Sequence, residues 1–377
     1  MHRRATQAIF LCGVLFACTA GPAKEADSGV RPFTTTTLGT FDEPWAMAFL
    51  PGTSVAAITH KAGKVTLWNS ASGARRDVAG VPKVATGGQG GLGDVLVVAS
   101  DTGRFPVYLS WVEAGAGKTK GAVIGRGMLV DIATNPRIEG MSVIWRQAPK
   151  VEGNGHFSHR MLLSPDGKTL FLTSGDRQKF TPAQSFDGNL GKVLRLTLDG
   201  QPAPGNPWAA KGGVAAQFWS MGHRNLLGIA FDGSGRLWES EMGPKGGDEV
   251  NLIEAGRNYG WPKASNGSHY DGSDIPDHKS GDGFEPPKVW WNPAISPGGL
   301  MIYRGAKWPQ WKGDAFVPAL SGEALIRVDL DGTSVKKADQ WPMGARIRAV
   351  VEGPKGEIYV LEDGDGAKLL RLDPVTR

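Results

Sequence analysis

The chain has 377 residues, with 42 Lys and Arg against 37 Asp and Glu and a formal net charge of +5. That balance is modest and has no clustered basic run, which argues against a nucleic-acid partner. Thirteen Trp and a 40% hydrophobic share are ample for a packed core, and 54 Gly with 25 Pro point to many turns.

The first 23 residues read as a secretory signal: Arg3-Arg4, the apolar run Ala8–Ala17, then small residues. The run is too short to span a bilayer as a mature helix. Leu15-Phe16-Ala17-Cys18 resembles a bacterial lipobox, which would lipidate Cys18 and tether the protein to a membrane. Ordinary cleavage near Cys18-Thr19-Ala20 is the alternative, and both imply export, to the periplasm. Cys12 and Cys18 are the two cysteines, so the mature domain, residues 33–377, has no disulfide to form.

Beyond the signal, helical periodicity is nearly absent. Short β-rich runs recur instead, broken by Pro-Asp-Gly or Gly-Lys-Gly turns. Ala46–Asn69, Arg160–Asp176 with Lys192–Gly200, Gly228–Glu241, Ala315–Gly332 and Ala349–Pro374 share one grammar of inner strand, turn and second strand. Many then add an outer strand ending in Leu-Asp-Gly or Leu-Asp-Pro. Diverged strand-turn-strand repeats without helices predict an all-β, six-bladed β-propeller of four-stranded antiparallel blades. A pair of β-sandwiches is the alternative. The polar, Gly- and Asp-rich insertion at 266–287 reads as a loop on the top face.

Several segments carry chemistry. Thr86–Asp94 (TGGQGGLGD) is glycine-dense but is not a GxGxxG before a helix, so a dinucleotide fold is not supported. In Gly153–Arg160 (GNGHFSHR), His156 lies in a loop entering a strand. Alone, it reads as a surface hydrogen-bonding residue or as a base with a pKa near working pH. Arg224 and Asn225 sit among Gly222, His223 and Gly228, a tight bend suited to projecting polar groups into a cleft. Gly243–Glu249 (GPKGGDE) is either a plain acidic turn or a calcium site, since main-chain carbonyls are good calcium ligands. Arg346 and Arg348, two apart on a strand, share a face. That face is either a solvated edge or a carboxylate-binding fork.

Together these segments, most specifically Gly222–Pro262 with its GHRN and NYGWP ends, resemble the soluble pyrroloquinoline-quinone-dependent aldose sugar dehydrogenases of the glucose/sorbosone dehydrogenase family. The similarity runs from about Leu38 to Pro374. It implies oxidation of an aldose at C1 to the lactone, with electrons passed to a separate acceptor. His156 would be the base and Arg224 its catalytic partner at the quinone. Gln89, Arg224, Asn225, Tyr270, Arg346 and Arg348 would contact the quinone cofactor. Calcium would bind the Gly243 and Pro244 carbonyls, and a second, structural calcium would lie at Glu249 and Tyr259. A monomer or homodimer is expected. Two departures stand out: the family's paired glycines after His-Phe are Ser158 and His159, and a lysine that reaches the cofactor is Ser321. They keep open a non-catalytic carbohydrate- or protein-binding propeller. A calcium-dependent lactonase is a further alternative, which would need a cage of carboxylate and Asn side chains around its metal.

Overall fold

The computed structural model describes residues 31–375, so the N-terminal segment read as a signal, with Cys18, lies outside the described residues. Six antiparallel sheets follow one another around a central channel, as the strand grammar predicts. Blade one holds Pro44–Phe49, Val55–His60, Lys64–Asn69 and Arg75–Asp77, and blade three holds Ser158–Leu163, Thr169–Ser174, Lys192–Thr197 and Phe218–Met221. Blade four is Leu226–Phe231, Leu237–Glu241, Asp248–Ile253 and Val289–Trp291. Blade two departs slightly from four strands: beyond Leu92–Val97, Phe105–Ala114, Thr119–Val130 and Arg137–Arg146, the short Val151–Glu152 also pairs with Thr119–Val130. Blade five differs from the expected grammar as well. Its inner strand is the two-residue Met301–Ile302, so Ala315–Ala319 and Ala324–Asp331 are its second and third strands.

Closure comes from the chain ends. Phe33–Phe41 adds as the outermost strand of blade six, antiparallel to Ala367–Pro374, beside Ile358–Glu362 and Ile347–Glu352. Pairing the first strand with the last covers edges that would otherwise stay open. Aromatic side chains fill the seams between blades. Trp308, Trp311 and Trp341 cluster with Phe33 between blades five and six, while Trp68 and Tyr359 meet between blades one and six. Each such fully buried side chain contributes about 1.5–3 kcal/mol relative to exposure.

The inner strands share a device that matters for function. Five of them break register within their first few residues: between Pro44 and Ala46, Leu92 and Val95, Ser158 and Met161, Leu226 and Gly228, and Ile347 and Ala349. A bulge re-aims the side chains it contains. The residues spanned are Trp45, Gly93 with Asp94, His159 with Arg160, Leu227 and Arg348. Trp45, His159, Leu227 and Arg348 line the central cavity above, while Asp94 and Arg160 line a second space farther down the channel.

Candidate active site

The bulged strand tops form the floor of a cavity of about 420 Å³, with walls from the inter-blade loops. Gln89, Tyr270, Arg346 and Arg348, four of the residues singled out in the sequence, line it. The lining also includes Trp45, Lys61, Phe157, Ser158, His159 and Asp363.

His156 stands behind this wall. Its loop is held rigidly: buried Arg177 donates to the carbonyls of Gly155, Gly153 and Lys120 and lies 3.7 Å from the Phe157 ring centre. Gln89 Oε1 accepts the His156 backbone N–H at 2.7 Å, fixing a residue whose φ is +50°. His156 Nδ1 bonds Asp176 Oδ1 at 2.7 Å. Asp176 also accepts from Trp261 Nε1 at 2.8 Å and from the Gln178 backbone at 2.8 Å. Burial alone would raise the Asp176 pKa, but the His156 bond and these other donors outweigh it and hold the group below its ordinary value. Asp176 is thus an ionised acceptor, His156 carries its proton on Nδ1, and the Nε2 lone pair is free to take another. Burial pushes the His156 pKa down, opposed by the bond to Asp176 and reinforced by Arg224. A neutral imidazole with a fixed tautomer is the form a general base needs.

Arg224 does not line the main cavity. It is buried in a small adjoining cleft with Gly243, Glu249, Tyr259 and Trp261. Its Nη1 donates to the Met242 and Gly243 carbonyls, and its Nη2 donates to the Tyr270 hydroxyl at 3.2 Å. The guanidinium therefore meets the Gly243 carbonyl that the resemblance gives to calcium, leaving that oxygen a second lone pair. Buried Asn225 accepts from Ser158 Oγ at 3.2 Å and faces Met242.

The Gly243-Pro244 turn is braced from below and from the side. Asp248 accepts the Gly243 N–H at 2.8 Å and the backbone N–H groups of Ile295 and Ser296 at 2.6 Å. Burial raises the Asp248 pKa to about 6 despite those three bonds. A two-residue ladder, Lys245–Gly246 with Gly267–Ser268, ties the turn to the loop bearing Tyr270. That connection carries Tyr270, itself 72% exposed, over to Arg224.

Beneath the turn lies a feature that the motifs do not reveal. Glu239 and Glu241 on the second strand of blade four, Glu249 and Asn251 on the third, and His223 from the loop before the first are all buried together. Asn251 Nδ2 lies 3.2–3.4 Å from all three carboxylates. Ligand atoms of His223, Glu239 and Glu241 lie within 4.8 Å of one another, while Glu239 Oε1 and Asn251 Oδ1 have no hydrogen-bond partner. Burial, and then the Glu241 charge, push the Glu239 and Glu249 carboxyls well above the usual range. The spacing of Glu239 and Glu241, two apart on a strand, was the available signal for one shared face. This cage of carboxylates and Asn lies on the face of blade four that packs toward blade three, and none of its members lines the central cavity, where a lactonase's metal would be needed.

Arg346 and Arg348 do share a face, and both meet Asp363: Arg346 Nε at 3.0 Å, Arg348 Nε and Nη2 at 2.8 and 2.7 Å. Burial alone would push the Asp363 pKa up, but Arg348 in particular holds it below its usual value. Ser321 bonds Ser296 Oγ at 2.8 Å beside the cavity wall, and Lys61 is the lysine that lines the cavity.

Known proteins resemble this chain along most of its length. The glucose/sorbosone dehydrogenase family model matches residues 41–371. The aldose sugar dehydrogenase YliI of Escherichia coli is 36% identical over 339 residues, which is 88% of this chain and 90% of that protein. Quinoprotein glucose dehydrogenase B of Acinetobacter calcoaceticus is 26% identical, over 87% of this chain and 85% of that protein. Among solved structures, the apo-form of the soluble E. coli aldose sugar dehydrogenase superposes with a TM-score of 0.85 at 34% identity, covering 91% of this chain and 100% of that one. The PQQ-bound form of a Streptomyces coelicolor aldose sugar dehydrogenase superposes at 0.75 with 26% identity, covering 90% and 98%. With a family model spanning nearly the whole described domain and a relative above 30% identity, this chain belongs to the glucose/sorbosone dehydrogenase family.

Proposed function

We propose that this protein is an exported, pyrroloquinoline-quinone- and calcium-dependent dehydrogenase that oxidises an aldose at C1 to the lactone and passes electrons to a separate acceptor. The observation that carries this reading is the His156–Asp176 pair set against a cavity rich in fixed cations. The cavity residues fit the cofactor: Lys61, Arg346 and Arg348 offer positive charge to a planar tricarboxylate, and Arg forks suit carboxylates. The oxygen-rich Gly243 turn and the cage of Glu239, Glu241, Glu249 and Asn251 fit calcium, which prefers oxygen ligands. Two unpartnered oxygens buried among three carboxylates are an unsatisfied arrangement that a cation would satisfy.

When bound, the quinone would supply the two-electron acceptor at the reacting carbon. The protein's own residues then do the rest. His156 Nε2 takes the C1 hydroxyl proton, while Asp176 holds the ring in the required tautomer and stabilises the imidazolium that forms. Gln89 fixes the His156 backbone and presents its own amide at the cavity wall. Arg346 and Arg348 anchor carboxylates, and Asp363 holds both guanidinia in place beforehand. Arg224 and Tyr270 would close the side of the cofactor toward calcium, with Asn225 packed behind them. The Gly243 and Pro244 carbonyls would hold the cofactor's calcium, and Glu249 with Tyr259 the second ion. The segment of residues 1–23 would direct export.

The test is reconstitution of the purified protein with pyrroloquinoline quinone and calcium, followed by assay on a panel of aldoses with an artificial electron acceptor. Aldose-dependent reduction that needs both additions supports the reading. Failure to bind the quinone at micromolar concentration would favour a sugar- or protein-binding propeller instead.

A further inference from the structure

His159 is an unusual residue to find where it is. It occupies the bulge of the third blade's inner strand, with φ +66°, next to Ser158 at +58°. Side chains rarely adopt this region and glycine adopts it freely, so a histidine here carries a strain that something else must offset. The surroundings hold the ring on three sides. Its plane is parallel to the Trp45 indole, with centroids 5.2 Å apart and 6° between planes. Its edge fills a slot over Gly93, where even a methyl group would come within 1.9 Å of Cε1. Its Nδ1 lies 2.7 Å from Ser110 Oγ.

The tautomer is assigned from the partners of that hydroxyl. Ser110 Oγ already accepts the Asp94 backbone N–H at 2.7 Å, and its one proton has His159 Nδ1 as its partner. Donation of that proton to Nδ1 leaves the hydroxyl fully satisfied, and this assigns the ring proton to Nε2. Among the described residues Nε2 has no hydrogen-bond partner, and the ring lines the central cavity.

We propose that His159 is a ligand-positioning residue, presenting Nε2–H from the cavity floor as a fixed donor to an oxygen acceptor of the bound molecule. The acceptor is an oxygen of either the quinone cofactor or the sugar, and the inference rests on the reading that this cavity binds them. Burial, with Arg160 and Arg177 nearby, lowers the His159 pKa to about 3, so the donor stays neutral across working pH and contributes direction without charge. His159 is thereby distinct from His156, whose open nitrogen accepts a proton while that of His159 gives a hydrogen bond.

The experiment compares the natural protein with His159→Phe, which keeps a ring against Trp45 but has no donor, and His159→Gln, which returns an N–H near the Nε2 position. Cofactor affinity is measured by titration with pyrroloquinoline quinone in saturating calcium, and KM and kcat are measured on the best aldose. If the acceptor is on the cofactor, His159→Phe weakens quinone binding about 10-fold or more, and His159→Gln recovers part of the loss. If it is on the sugar, quinone affinity is unchanged and KM rises by a similar factor. Should the Phe ring disturb folding, His159→Gly, unstrained at this φ, removes the same donor and is read the same way. A folded His159→Phe or His159→Gly protein with natural quinone affinity and natural KM overturns the inference alone. Absence of quinone binding by the natural protein overturns the parent reading, and this inference with it.

Discussion

Asp176 accepts the Nδ1 bond of His156 at 2.7 Å, and both side chains are buried. A carboxylate in that position holds the proton on Nδ1 and leaves Nε2 as the accepting nitrogen, so the pair acts as a unit. His156→Ala is expected to keep quinone binding and lose about 10²–10⁴-fold in kcat. Asp176→Asn should lose a comparable factor, because the tautomer is no longer enforced. Natural turnover in either variant removes the pair from the mechanism.

The same pair sets the pH dependence. Only neutral His156 can accept a proton, and its pKa lies below 6.5, so activity should fall on an acid limb centred below that pH. Asp176 raises the His156 pKa, so Asp176→Asn should move the limb to still lower pH even as the plateau drops. A limb that stays in place, or moves upward, in pH–rate profiles of the two proteins would contradict the assignment.

Metal removal should register in stability as well as in activity. Without a cation, Glu239, Glu241 and Glu249 are packed together with Asn251 as their shared donor. Calcium at 100-fold over its Kd would stabilise the fold by about 2.7 kcal/mol. Chelation is therefore expected to lower Tm and abolish activity, with both restored by calcium. Glu239→Gln should blunt the calcium-dependent rise in Tm while leaving calcium-dependent quinone binding, proposed at the Gly243 turn, in place. Identical melting of chelated and calcium-loaded protein would remove the structural ion.

The two cavity arginines should differ in weight. Arg348 gives two donors to Asp363 Oδ1 with its side chain 14% exposed, while Arg346 gives one to Oδ2 and is 48% exposed. A charge-assisted bond in the drier position is worth more, about 1.5–3 kcal/mol or roughly 10–150-fold in affinity. Arg348→Ala is expected to weaken quinone binding by that amount, and Arg346→Ala by less. Equal losses, read from parallel cofactor titrations, would mean that Asp363 does not differentiate them.

How much of the molecule was legible in the sequence depends on how far each signal reaches along the chain. Turn chemistry and strand periodicity are local, so the blades and the top-face loop at 266–287 were legible. The inner strand of blade five was not, because Met301–Ile302 is two residues long and leaves no period to detect. Cavity-lining residues inside motifs, such as Gln89, Arg346 and Arg348, were legible as residue types. Their partners and that of His156 were not: Asp176 and Asp363 come from other strand ends, and Lys61 and Trp45 from another blade. The bulges at the strand tops compound this, since they break the two-residue alternation where Trp45, His159 and Arg348 turn into the channel.

Ser321 takes the position to which the resemblance assigns a lysine that reaches the cofactor. Its hydroxyl is engaged with Ser296 Oγ and the Ala294 carbonyl, beside Leu320 and Ser296 of the cavity wall. Lys61 meanwhile enters the cavity from blade one, 3.2 Å from Glu43, and adds to the charge of Arg346 and Arg348. Positive charge near the reacting oxygens is what the missing lysine would have supplied. The natural protein is therefore expected to bind the quinone without help, and Ser321→Lys should change its affinity by less than about 10-fold, under 1.4 kcal/mol. Lys61→Ala, by contrast, should weaken binding by more than Ser321→Lys strengthens it. Titrating the natural protein and both variants at one saturating calcium concentration decides the matter. A large gain from Ser321→Lys with no loss from Lys61→Ala would show that Lys61 does not take the lysine's part.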